Sequence, residues 1–230
     1  MDQYITEQFD QEKVLKNSSS GVVTRIRKKD SHRRYICRKY PEPIQIYADL
    51  VNVECPYLPR VFESAIDIDG HQMIVLEEFI PGDSLSLLLE RGPISGSQTR
   101  KIAIQLCNAL YVLHSLGWIH RDIKPDNILI YGNRTVLTDF NAARSPSVDK
   151  EQDTRILGTV GYAPPEQYGI SETDNRADIY AMGVLINEMI TGEHPSQKLA
   201  GGRWGSIVSH CTMINPDKRY ASVKRLLEAL

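Results

Sequence analysis

His120-Arg121-Asp122-Ile123-Lys124-Pro125-Asp126-Asn127 and Asp139-Phe140-Asn141 stand on either side of a predicted hairpin, in which Ile128–Tyr131 and Thr135–Phe140 flank the turn pair Gly132-Asn133. A hairpin returns the chain to where it started, so it brings the two stretches together. A lone Asp or Asn beside a turn is usually a cap. Here Asp122, Lys124, Asn127 and Asp139 hold a fixed register around one hairpin. That joint pattern points to a site rather than to a set of caps.

Working outward, Ser95 and Gln98 form a capping box ahead of Ile102, Leu106, Leu110 and Leu113, whose spacing predicts a helix ending near Gly117. Downstream, Asn141–Gln167 is polar and rich in Ser, Thr, Gly and Pro, a loop of the length that usually has a function. Ala177–Thr191 is apolar on nearly every side, as a buried central helix is, and Gly192 is its expected stop. Toward the N-terminus the chain reads as strands: Val22–Arg27, Arg34–Tyr40, Val61–Ile68 and Met73–Phe79, the last two joined at Asp69-Gly70. Ile44–Val53 is expected to form one short helix before Pro56. Ile80-Pro81-Gly82-Asp83 breaks the strand pattern, and helical periodicity follows it. The predicted class is α+β, with a small β-rich lobe over about residues 13–80 and a larger α-helical lobe over 81–230, together one domain over 1–230.

The 230 residues, 41% of them apolar, suffice for a sizeable core. Lys+Arg total 27 against 29 Asp+Glu, a net charge of -2, so no global field would draw the chain to nucleic acid or to an anionic membrane. Cys37, Cys55, Cys107 and Cys211 stand far apart without CxxC spacing, which argues against a zinc site or a disulfide framework and for a reducing cytoplasm. The apolar run Ile179–Ile190 is interrupted by Gly183, Asn187 and Glu188 and is too short to span a bilayer; Met1–Gln11 is polar and acidic, unlike a signal peptide.

The two stretches quoted first resemble the HRDxxxxN loop and the DFG motif of protein kinases, and the resemblance covers about residues 13–230. The chain is most similar in pattern to bacterial eukaryotic-like serine/threonine kinases. This implies a two-lobed protein-kinase-like fold, with ATP and Mg²⁺ as cofactors. It also implies that Asp122 accepts the proton of the substrate hydroxyl, that Lys124 sits beside the transferred phosphate, and that Asn127 and Asp139 hold the metal. Gly158-Thr159-Val160-Gly161-Tyr162-Ala163-Pro164-Pro165-Glu166 resembles the end of the activation segment, with Glu166 paired to Arg219 and Asp178 anchoring the backbone of the catalytic loop. Lys124 and Thr159 favour Ser or Thr hydroxyls of a protein as acceptors. Arg121 resembles the Arg that pairs with an activation-loop phosphate, for which Thr154, Ser147 and Ser145 are candidates for autophosphorylation. The hinge-like Glu78-Phe79-Ile80 and Leu129 would contact the nucleotide, and His120, Phe140, Val61 and Leu50 would be packing residues.

Several N-terminal positions depart from the family. Lys16-Asn17-Ser18-Ser19-Ser20-Gly21-Val22-Val23 keeps only Gly21 and Val23 of the GxGxxGxV pattern. Spacing from Val23 makes Arg38 the phosphate-binding residue; side-chain size favours Lys39, because Cys37 rather than Ile36 would then take the small position over adenine. Ile46 stands where a helix glutamate should pair with that residue, and Asp49, Glu42 or Glu77 are possible substitutes. Asn141 replaces the last Gly of DFG and is the non-glycine residue that best tolerates left-handed geometry. The retained Asp122, Lys124, Asn127 and Asp139 point to a serine/threonine protein kinase. The eroded N-terminal motifs are what a pseudokinase, a nucleotide-binding or scaffold module, would show. A small-molecule kinase is the third reading.

Overall fold

Arg34–Tyr40 is the central strand, β3, of a five-stranded antiparallel sheet ordered β1-β2-β3-β5-β4, with β1 Phe9–Ser18, β2 Gly21–Lys28, β4 Val61–Ile66 and β5 Met73–Glu78. The computed structural model describes residues 2–67, 71–146, 161–168 and 173–230, and its chain divides into two units, Met1–Pro81 and Gly82–Leu230. The Asp69-Gly70 turn lies outside the described residues.

Strand alternation gives the sheet of the first unit two different faces. One carries Ile26, Cys37, Ile74 and Leu76, buried together with Ile5 of helix α1 (Asp2–Gln8) and with Phe9. The other carries Ile36, Arg38, Tyr40, Met73, Val75 and Glu77, all buried, and helix α2 (Ile46–Leu50) packs Tyr47 on Tyr40 at 5.5 Å between ring centroids. The α2 helix is shorter than the expected Ile44–Val53 because Val51 is extended (ψ 126) and Asn52 is left-handed (φ 68). The β1 strand starts well before the strand signal in the sequence. It is an edge strand whose residues are nearly all exposed, so its charged side chains hide the alternation.

Among its described residues the second unit has a three-stranded sheet, β6 (Asp83–Ser84), β7 (Ile128–Tyr131) and β8 (Arg134–Leu137), and five α-helices: α3 Leu85–Leu89, α4 Gly96–Ser115, α5 Arg176–Thr191, α6 Gly202–Cys211 and α7 Val223–Ala229. Ser84 caps α3 through Leu87 N–H, and Ser95 caps α4 through Gln98 N–H, each at 3.3 Å. The α5 helix is buried along most of its length and ends at Gly192, whose φ of 75 suits a residue without Cβ. Strand β8 stops at Leu137, not Phe140: Thr138 turns back, and both its N–H (2.8 Å) and its hydroxyl (3.1 Å) donate to Asn127 O. Among the described residues, no helix is long and apolar enough to cross a membrane.

Candidate active site

The β7–β8 hairpin is paired in register, Ile128 opposite Leu137, so Asn127 and Thr138 face each other where the ladder ends and Asp139 follows by one residue. Sequence distance is thereby converted into proximity. Asp122 lies on the same short connection as Asn127. Its Oδ2 accepts from Lys124 Nζ at 2.8 Å and from Asn127 Nδ2 at 2.9 Å. Asn127 Nδ2 also donates to Asp122 O at 2.8 Å. With both amide hydrogens committed to Asp122, the Asn127 oxygen is turned away from that carboxylate.

Asp178, fully buried at the start of α5, fixes the backbone just before Asp122. Its Oδ2 accepts from His120 N–H (2.9 Å) and pairs with His114 Nε2 (2.8 Å), while its Oδ1 accepts from Arg121 N–H (2.9 Å). Gln167 Nε2 donates to Arg121 O at 2.7 Å from the other side. These bonds hold Arg121 in a left-handed conformation (φ 66), and Asp139 is left-handed as well (φ 65). Non-glycine residues pay for such geometry, and it clusters at functional sites. Asn141, at the position of the family glycine, is not among the positive-φ residues. The left-handed residue is Asp139 itself, which accounts for how Asn is accommodated.

Burial would raise the Asp178 carboxyl, but the hydrogen bonds and charges of His114 and His120 outweigh it and hold its pKa below the usual value. Burial pushes the His120 imidazole down and so favours its neutral form, which packs edge-on against Phe140 at 5.6 Å. Further along, Arg219 uses all five of its donors: Nη1 and Nη2 grip Glu166 at 2.5 and 2.9 Å, and the others reach the carbonyls of Arg176, Met213 and Ile214. Tyr162 donates to Glu188 Oε2.

In the first unit, β1 and β2 turn over Ser19-Ser20, with Ser18 Oγ bonded to Ser20 Oγ at 2.8 Å. Gly21 has φ 138, and a Cβ there would lie 2.6 Å from Lys39 O. Val23 pairs with Arg38 across β2 and β3. Strand alternation puts the two basic residues on opposite faces of the sheet. Arg38 is buried on the Ile36–Tyr40 face and its Nε donates to Glu77 Oε1 at 2.6 Å, whereas Lys39 is exposed on the opposite face with Cys37. Of the two alternatives, alternation puts Arg38 on the buried face, with Ile36 beside it, and Lys39 on the other. Asp49 and Glu42 are exposed. Glu78 is half-buried, its carboxylate accepting from Arg60 N–H at 3.2 Å; Ile80 is buried, and Leu129 lies half-buried on β7.

Of the three hydroxyls nominated for modification, Ser147 and Thr154 lie outside the described residues, as do Gly158, Thr159 and Val160. Ser145 is 3% exposed. Packing thus withdraws its hydroxyl from any acceptor role in this conformation. Sequence reasoning missed His114, Gln167, Tyr40 and Tyr47. Gln167 had one usable cue, its place next to Glu166; the others act through contacts that no local pattern signals.

The donor set fits Mg²⁺. An Asn amide oxygen and an Asp carboxylate are hard oxygen ligands, and Mg²⁺ needs only one or two of these beside nucleotide phosphates and water. Among the described residues, no three His, Cys, Asp or Glu side chains converge to hold a metal by themselves.

A family model, that of the protein kinase domain, matches residues 12–225. Serine/threonine-protein kinase PknL of Mycobacterium tuberculosis is 38% identical over 130 residues, covering 55% of this chain and 33% of that protein. PknA of Nostoc sp., also named a serine/threonine-protein kinase, is 31% identical over 202 residues, covering 77% of this chain and 35% of its own length. Serine/threonine-protein kinase A of Synechocystis sp. is 32% identical over 190 residues, covering 76% and 36%. The chain spans about a third of the length of these relatives.

Proposed function

The chain belongs to the protein kinase family, and from that premise we propose that it is a serine/threonine protein kinase that moves the γ-phosphate of ATP to Ser or Thr hydroxyls of a protein substrate. The observation that carries this reading is the Asp122 carboxylate, held by both Lys124 and Asn127 on a backbone pinned by Asp178. A scaffold has no chemical need of that arrangement.

In the proposed reaction the acceptor oxygen bonds to the γ-phosphorus while its proton passes to Asp122. The bond from that phosphorus to the β–γ bridging oxygen breaks and leaves ADP. Lys124, as a point charge beside Asp122, neutralises charge on the transferred phosphoryl group. Asn127 and Asp139 would hold Mg²⁺, which supplies charge neutralisation on the phosphate oxygens. We assign nucleotide contacts to Gly21, Val23, Arg38, Glu78 and Ile80 in the first unit and to Leu129 and Asp139 in the second. Residues 1–230 act as one domain in this reading. Ser147 and Thr154 remain the proposed sites of autophosphorylation; Ser145, being buried, is set aside. A reducing cytoplasm suits four cysteines that no disulfide joins.

Incubation of the purified chain with γ-labelled ATP, Mg²⁺ and a generic basic protein, followed by phosphoamino-acid analysis, tests the proposal. Labelled phosphoserine or phosphothreonine supports it. Absence of label in either protein, or label confined to tyrosine, overturns it.

A further inference from the structure

We propose that the tip of the β2–β3 hairpin is a docking surface for an acidic stretch of a protein partner, a role separate from phosphoryl transfer. Residues 25–34 hold Arg25, Arg27, Lys28, Lys29, Arg33 and Arg34 against one acid, Asp30, in a chain whose net charge is -2. The hairpin gathers these cations at one end of the sheet. Arg27 stands opposite Arg34 in the ladder, Lys28 N–H donates to Arg33 O at 2.9 Å, and residues 29–34 are exposed. Like charges directly opposite one another destabilise a strand pair, so the tip favours any anion that comes to lie against it.

The fold's own carboxylates at the tip are fewer than the cations. Glu12 of β1 is shared by three guanidinium groups, with Arg25 Nε at 2.8 Å, Arg34 Nε at 2.9 Å and Arg27 Nε at 3.8 Å. Asp10 reaches Arg27 Nη2 at 3.5 Å, and Asp30 pairs with Lys28 at 3.1 Å. Lys29 Nζ donates to the carbonyls of Thr6 (3.2 Å) and Glu7 (2.8 Å), and Arg33 lies over the rings of Tyr35 and Phe62 at 5.7 and 6.0 Å. Carbonyls and rings bring no full counter-charge, so the tip keeps a positive excess. The rings also give it a firm floor. Tyr35 meets Phe9 and Phe62 edge-on at 5.5 and 5.4 Å, and Arg60, loosely paired with Glu54 at 3.8 Å, stands over Phe62 at 5.5 Å. A guanidinium seated on a ring presents its planar fork to a carboxylate and has less rotamer freedom to lose on binding. Outside the tip the chain is acidic, since six cations against one acid sit within a total of -2. Nucleic acid or a charged membrane would lie against that remainder as well, whereas a short acidic peptide meets the tip alone.

The test is fluorescence anisotropy of a labelled oligoglutamate peptide titrated with the whole chain at about 0.05 and 0.15 M salt. The wild type should bind it, and more weakly at the higher salt. R33E/R34E should lower the affinity about tenfold or more and R33K/R34K by less, while ATP binding by both variants stays within about twofold of wild type. A wild type that does not bind the peptide overturns the inference, as does equal affinity of R33E/R34E or equal binding of an oligolysine peptide. Tighter binding of a DNA duplex or of phosphatidylserine vesicles than of the peptide overturns it too, by assigning the tip to a polyanion. Should R33E/R34E not fold, R33S decides, because the Arg33 guanidinium rests on rings rather than in an ion pair. A loss of about threefold in R33S supports the inference, and no loss overturns it. Peptide binding is read without phosphoryl transfer, so this inference and the functional reading fail separately.

Discussion

Arg38 Nε donates to Glu77 Oε1 at 2.6 Å from adjacent antiparallel strands, with both side chains buried. Removing one partner takes a buried, charge-assisted hydrogen bond from the other. Glu77→Leu is expected to destabilise the protein by about 3–5 kcal/mol, whereas Arg38→Met together with Glu77→Leu should restore most of that loss. Urea denaturation of the two variants against wild type checks both expectations.

Gly21 has φ 138, and a Cβ there would meet Lys39 O at 2.6 Å and Tyr40 Cδ1 at 2.9 Å. Both the conformation and the space exclude a side chain. Gly21→Ala should cost about 2 kcal/mol or more in stability. It should also raise KM for ATP several-fold by moving the β1–β2 turn. Thermal denaturation and ATP titration measure the two effects separately.

Acid should weaken the fold in two windows. His120, with its imidazole pushed below the ordinary value near 6.5 by burial, is neutral when folded, so the unfolded chain binds its proton first. Stability therefore falls as pH drops through about 6.5 toward the folded value. Asp178, held below the usual carboxylate range, stabilises the fold fully above the unfolded value near 3.9, and that contribution is lost as pH falls through the folded value. His120→Phe should flatten the stability curve between about pH 5 and 7, and Asp178→Asn the limb below about pH 4. Denaturation midpoints measured across pH 3–8, a window of roughly five units, check the assignment.

Asp139 is the carboxylate assigned to the metal. Asp139→Asn should lower phosphoryl transfer roughly a hundredfold or more, the several kcal/mol that metal-borne charge stabilisation supplies. Raising Mg²⁺ should recover part of the loss. Rates measured against Mg²⁺ concentration for both proteins decide whether the defect lies in metal binding.

The catalytic stretch was legible because its parts are contiguous: Asp122, Lys124 and Asn127 share eight residues of sequence, and a Gly-Asn hairpin delivers Asp139. The Ser95 cap, the buried α5 helix and its Gly192 stop were equally local. What the sequence left open was set by pairing between distant segments. Arg38 and Lys39 differ by one residue, and only the register of β3 against β5 determines which of them faces Glu77, thirty-nine positions on. The Glu166–Arg219 pair was readable only through family resemblance. His114, which pairs with Asp178, carries no signature at all, and Gln167, which bonds Arg121 O, carries only its place next to Glu166. Ser145 reads as an exposed loop hydroxyl, yet it follows directly on the bridge between Ile119 and Arg144 and is buried with it.

The most direct test of the central claim is Mg²⁺-dependent transfer of γ-phosphate by wild type and by Asp122→Asn, with ATP binding measured on both. The account predicts transfer by the wild type and a loss of about 10²–10⁴-fold in the variant, with ATP affinity kept. Equal transfer by the two proteins would contradict it, as would a wild type that binds ATP and transfers nothing.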